Sequence, residues 1–206
     1  GEGLMFDFAH IPFSRFGRFL TLSTLDGQVW LRLVKGGDLK PALGRLCRID
    51  LGQAVWQLSP DLLVADTPTG RVEFTIGEGE RLHLRGTGAP VTFRLEGSRY
   101  DYAYRTPQGD PCLVAAYENT RLLPRVTSGR VEVTGDWRRD HADNVTMIFG
   151  GAGGFEGTID LFPAVPPAPA GQTFDEARAS AAADFTAWLS RTPEGGQPAA
   201  RGLASW

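Results

Sequence analysis

The sequence predicts a mainly β protein, a large two-layer antiparallel sandwich with one helix near its C-terminal end. Three observations lead there. Asp26-Gly27 stands between two runs rich in β-formers, residues 18–24 and 28–34, which is the strongest short-range hairpin signal. Short β-rich runs then recur at close spacing up to residue 162, with Gly and Pro between them. Beyond them, prolines and small residues lead into one segment with helical periodicity.

The hairpin comes first. In its first arm Phe19, Thr21 and Ser23 share one face and Leu20, Leu22 and Thr24 the other, so both faces carry apolar groups. A strand of that kind is expected to be covered on both sides, inside a layered structure. Ahead of it, Leu4, Phe6, Phe8, Ile11, Phe13 and Phe16 make an arm too apolar to hang loose. Further strands are expected at 45–51, 55–58, 62–66, 71–76, 81–86, 91–95, 100–106, 112–119, 122–126, 130–134, 144–150 and 155–162. Several alternate cleanly. Val72, Phe74 and Ile76 oppose Arg71, Glu73 and Thr75, while Leu82 and Leu84 oppose Arg81, His83 and Arg85, so one face of each is expected to meet water.

The composition changes at Pro163. Pro163, Pro166, Pro167 and Pro169 read as a stiff extended linker. Thr173 with Glu176 three residues on forms a capping box, and Asp175 and Glu176 suit the positive end of the helix dipole. Phe174, Ala177, Ala181, Phe185 and Trp188 lie on one stripe, which places a helix over 175–190. The sandwich is thus assigned to 1–165, and 166–206 to a linker plus amphipathic helix leading to a following domain. Gly1, without an initiator Met, reads as a processed or engineered end, and Trp206 as a cut.

Composition excludes several classes. The 206 residues, 42% hydrophobic and 22% charged, suit one sandwich domain with a sizeable core. A net charge of −3 with scattered basic residues argues against nucleic acid as a partner. No apolar run reaches the roughly 18 residues needed to cross a bilayer. With no signal-peptide pattern at the start, a cytoplasmic location is expected and no membrane partner. Cys47 and Cys112 do not make a disulfide framework and read as buried free thiols.

Candidate chemistry is sparse. Glycines 150, 151, 153 and 154 lack the third glycine of a GxGxxG pattern, since Glu156 stands there, and they precede a strand, so a turn is the reading. Asp140, His141 and Asp143 have metal-capable side chains without a second cluster, His10 and His83 are isolated, and Asp101, Asp136 and Asp160 fit turns or solvent faces. No residue is assigned a catalytic, metal or cofactor role. The most suggestive feature is Tyr100, Tyr102 and Tyr104, which share a strand face and offer a row of rings for sugar contact, although packing at the edge of the core is the favoured reading.

The run from Pro12 to Leu20, followed by Val29-Trp30-Leu31-Arg32, resembles the start of bacterial glycosidases related to glycoside hydrolase family 63 and to glycogen-debranching enzymes. The later order of strands, proline linker, helix and terminal Ala-Ser-Trp is similar to the N-terminal domain of those enzymes. The resemblance implies a supersandwich of galactose-mutarotase-like type that precedes a toroid of paired helices carrying the catalytic carboxylates. It therefore implies a non-catalytic domain supporting a glycosidase of α-linked glucosides or related oligosaccharides, with the following domain of the same polypeptide as partner. Phe13, Phe16, Phe185, Trp188 and Trp206 are the expected docking residues. A self-sufficient carbohydrate-binding or mutarotase-like sandwich is the competing reading. Oligosaccharide is the partner expected under the competing reading.

Overall fold

A computed structural model of the chain describes residue 8 and residues 11–34, 44–88, 90–95, 101–116, 118–135 and 145–191. Two antiparallel sheets face each other. One has seven strands in the order β1 (Phe13–Ser14), β2 (Leu20–Leu25), β3 (Gln28–Leu33), β4 (Arg45–Asp50), β9 (Val91–Arg94), β14 (Thr146–Gly150) and β13 (Arg130–Thr134). The other has eight, in the order β10 (Tyr102–Arg105), β11 (Pro111–Ala115), β12 (Thr120–Ser128), β15 (Phe155–Phe162), β8 (Arg81–Gly86), β7 (Gly70–Ile76), β6 (Leu63–Thr67) and β5 (Val55–Leu58). The single helix among the described residues is α1, Phe174–Arg191.

The Asp26-Gly27 hairpin forms as expected. Leu25 pairs with Gln28, and both turn residues have positive φ, 52° and 74°, the pair of left-handed conformations that a two-residue type I′ turn requires. Both arms are buried over nearly their whole length. Leu20, Leu22, Val29 and Leu31 enter one continuous core with Val72, Phe74, Leu82, Leu84, Phe93, Phe149 and Ile159 from both sheets. Its aromatic centre runs through Trp56 stacked on Phe74 at 6.0 Å and Phe149 between Phe93 and Phe155, each at 5.8 Å. Contacts between rings at such distances add to the area they bury.

Part of the N-terminal arm serves this core. Phe8 packs with its ring tilted against Trp56 and is buried, and Phe13, expected to be a docking residue, is 1% exposed within the same core. Its strand β1 pairs with β2, which turns the Phe13 ring inward. Phe13 is therefore not available to a partner.

Where the chain passes between the sheets, glycine is a steric requirement. It leaves β12 for β13 at Gly129 and returns from β14 to β15 through residues 151–154, and the two crossings touch. A Cβ on Gly129 would lie 2.6 Å from the Phe155 Cβ and 2.7 Å from the Gly150 oxygen, and its φ is +75°. The glycine cluster is thus a crossing between layers, with no helix after it to form an anion site.

Gly27 and Gly129 share a left-handed conformation but differ in surroundings, because nothing lies within 4 Å of a Cβ at Gly27. Gly27→Ala is expected to cost only the strain, about 1–2 kcal/mol. Gly129→Ala adds a backbone collision and should cost roughly 3 kcal/mol or more. Urea denaturation of the two variants checks this, and equal losses would contradict it.

Candidate functional site

The outer face of the eight-stranded sheet carries a ladder of polar residues set by the strand register. Thr75, His83, Thr158 and Arg125 stand in one row across β7, β8, β15 and β12, and Glu73, Arg85 and Glu156 in the next. Alternation predicts polar side chains there, and they are present. The expectation of water is corrected: Thr75 is buried and His83 is 2% exposed. Two covers account for this. Helix α1 lies over β7 and β8, and residues 163–172 cross the face of β12 and β15 as a strap.

The strap is held by arginines. Prolines leave it short of N–H donors, so it offers carbonyl oxygens, and Arg121 donates to Pro163, Arg125 Nη2 to Pro167 at 2.8 Å and Arg81 Nη2 to Ala168 at 2.5 Å. Between Arg81 and Arg125 sits Asp160, accepting from Arg81 Nε at 2.5 Å and from Arg125 Nη1 at 2.8 Å. Asp160 is 2% exposed, which overturns its placement on a turn or solvent face. Burial pushes its carboxyl above the ordinary range, against the pull of the two guanidiniums.

The helix begins where the strap ends. Thr173 N–H donates to Glu176 Oε1 at 3.0 Å and Glu176 N–H to Thr173 Oγ1 at 3.2 Å, the reciprocal pair of a capping box. Its bonds to Thr173 draw the Glu176 carboxyl below the usual value. Phe174 packs on Leu62 and Val64, with the Arg85 guanidinium 4.2 Å above its ring, and Arg85 joins Glu73 and Asp175, each at 2.9 Å. Farther along, Arg178 meets Asp61 at 2.8 Å, while Arg15 donates to Asp184, to Ser180 and to the Ile76 carbonyl.

A groove of about 940 Å3 opens between strap and sheet. His83, Thr158, Arg125 and Glu156 line its floor, prolines of the strap its roof, and Gln172 and Asp110 part of its rim. Burial, together with Arg81 and Arg15 nearby, lowers the His83 pKa to about 4, so its imidazole is neutral at pH 7.

The tyrosines lie elsewhere. Tyr102 and Tyr104 are half-buried on edge strand β10, their rings 6.2 Å apart, and Tyr104 packs against Cys112, Leu123 and Phe162 on the outer face. Burial and Cys112 push the Tyr104 hydroxyl up to about 12. These residues border a small apolar cluster outside the main core, and they do not line the groove.

Both cysteines are free and buried, and burial raises both thiols. Asp101, also expected at a turn or solvent face, is buried and accepts from the Ala116 N–H at 2.8 Å. Tyr100, His10, Asp136, Asp140, His141, Asp143 and Trp206 lie outside the described residues. Among those described, no three His, Cys, Asp or Glu side chains converge to hold a metal ion.

Of the remaining docking residues, Phe16 is 74% exposed, and Phe185 and Trp188 stack at 6.0 Å, both half-buried. Sequence reasoning missed the Arg81–Asp160–Arg125 cluster and the groove. Its signal was there in the outward parity of Arg81, His83, Arg125, Thr158 and Asp160, combined with a following stretch rich in acceptors. No family model matches the chain, and no curated protein does. No described helix is long and apolar enough to cross a membrane.

Two expectations follow. An unfolded histidine takes up a proton below pH 6.5, whereas folded His83 stays neutral until about pH 4. The unfolded state thus binds more protons in that window, and His83 should remove about 3 kcal/mol of stability as pH falls from 7 to 4. Urea titrations of the wild type and His83→Gln across that range should show a shallower loss in the variant, and parallel curves would refute the assignment. Asp160→Asn leaves two partly buried arginines without their counter-charge and should cost about 3 kcal/mol by the same method.

Proposed function

We propose that this chain is the N-terminal β-sandwich domain of a cytoplasmic glycoside hydrolase of the family 63 and glycogen-debranching type. In this reading it supports a following helical domain that holds the catalytic carboxylates for α-linked glucosides or related oligosaccharides. The resemblance rests on residues of β1, β2, β3 and their connections, and the two-sheet architecture is of the kind it implies.

The observation that carries the reading is an apolar end beside the strap-bearing face. Helix α1 buries Phe174, Ala177 and Ala181 against its own sandwich, yet Leu189 near its C-terminal end is 47% exposed. Arg15 ties the turn bearing Phe16 to the helical turn at Asp184, so exposed Phe16 is anchored to the same half of α1. Ile11 and Phe19 are also exposed in this N-terminal segment. An exposed aromatic ring next to a buried arginine that is bonded to the helix carrying exposed Leu189 suits a surface that another domain covers.

Hydrogen exchange of residues 1–206 alone, and of a polypeptide extended through the helical domain, tests this. Protection gained around Phe16 and Leu189 in the longer protein is expected. Identical exchange, with a monomeric shorter chain, would reject docking and favour a self-sufficient carbohydrate-binding sandwich.

A further inference from the structure

The groove beneath the proline strap has an unusual inventory. The His83 imidazole makes no hydrogen bond to any described residue, and neither does the Thr158 hydroxyl. Neither His83 nor Thr158 supplies one of the fully enclosed, unsatisfied polar atoms, which belong to Thr21 and Arg32. Both residues are nevertheless deeply buried, Thr158 at 8% exposure, and both line the groove, the Nε2 edge of the imidazole being turned to Gly77. Two neighbours in one sheet row that line a groove and spend no side-chain hydrogen bond on the protein are free to bond a molecule placed there.

Their positions are set in advance. The His83 ring lies against Gly77, where a Cβ would stand 2.6 Å from Nε2, so that position keeps the imidazole in place only as glycine. Thr158 lies within the central pairing of β15 with β8 and β12. The strap opposite is stiffened by its prolines and anchored by Arg81, Arg121 and Arg125.

The lining also selects chemistry. A neutral imidazole, a hydroxyl and the Gln172 carboxamide each both give and accept hydrogen bonds. The groove's cation, Arg125, already donates Nη1 to Asp160 and Nη2 to Pro167, while Glu156 and Asp110 add negative charge. An anion would meet carboxylates and a committed arginine. A hydroxyl group, able to give and accept without charge, meets a match at each position. We infer that this groove binds a neutral polyhydroxy compound, a sugar or an acyclic polyol, through His83 and Thr158. Its volume lies within the range of small-molecule sites. The inference is independent of domain docking, since it concerns a different surface.

The test is a titration of the 206-residue chain with glucose, maltose, sorbitol and, as the anionic counterpart, glucose 6-phosphate, followed by 1H–15N correlation spectra. At concentrations up to about 10 mM, enough to detect a millimolar Kd, at least one neutral compound should shift the amides of His83, Thr158 and Gln172, with the phosphate weaker. Sugars against sorbitol separate the cyclic from the acyclic source. Thr158→Val keeps shape and β-branching and should weaken binding about fivefold to tenfold, as loss of one hydrogen bond does, with Tm no lower than wild type. The inference is overturned if no neutral compound shifts the groove, if glucose 6-phosphate binds more tightly, if shifts fall on Tyr102 and Tyr104 instead, or if Thr158→Val binds unchanged.

Discussion

Asp160 sits at the point where two guanidiniums, a sheet face and the strap meet, and the outer layer of this protein depends on it. A carboxylate removed from water carries a desolvation cost of several kcal/mol, which one ion pair in mediocre geometry does not offset. Here two arginines on flanking strands reach it at 2.5 and 2.8 Å, and each still has a donor for a strap carbonyl. The strap in turn delivers Thr173 to the sheet, where the capping box starts α1 and Phe174 descends onto Leu62 and Val64. Without the carboxylate, two positive charges on the strands either side of β15 would face each other beneath a segment whose prolines leave it mainly acceptors to offer.

Much of the inner architecture was legible because it follows from local rules. Asp26-Gly27 fits a two-residue turn whatever the rest of the chain does, and the Val72/Phe74/Ile76 alternation can serve only one sheet face. The outer face was harder. Alternation reports that His83 and Thr75 point away from the inter-sheet core, but it cannot say whether water or another segment waits there. The misreading of His83 comes from equating polar with wet. Phe13 and Phe16 show the complementary limit, since in an arm where phenylalanine is frequent only the pairing of β1 with β2 decides which ring turns inward. Asp160 was missed for a third reason: parity shows that it points outward with Arg81 and Arg125, but these partners lie on strands distant in sequence and meet only in the finished sheet.

The two proposals for this chain rest on different surfaces with different chemistry. Phe16 and Leu189 are large apolar side chains left exposed among polar neighbours such as Asp184 and Arg191, a mixture that suits contact between folded units. Under the strap the groups are neutral hydrogen-bonding ones, which suits a small hydrated molecule. Helix α1 connects the regions, starting at the end of the strap and carrying at its far end the residues beside Arg15.

The paired crossings at Gly129 and residues 151–154 bear on the order in which the molecule assembles. Strands β12 and β15 are neighbours in the eight-stranded sheet, but the chain between them leaves to form the β13–β14 hairpin in the opposite layer. The long β12–β15 register therefore cannot zip up like a hairpin, since it closes a loop containing a complete two-stranded unit. Closure entropy must be met before that register gives any return, so the pairing belongs to the slow, non-local part of the folding reaction. The β13–β14 hairpin, being local, can form first and hold the ends of β12 and β15 side by side, which makes the detour into the other layer the device that brings the centre of the larger sheet together.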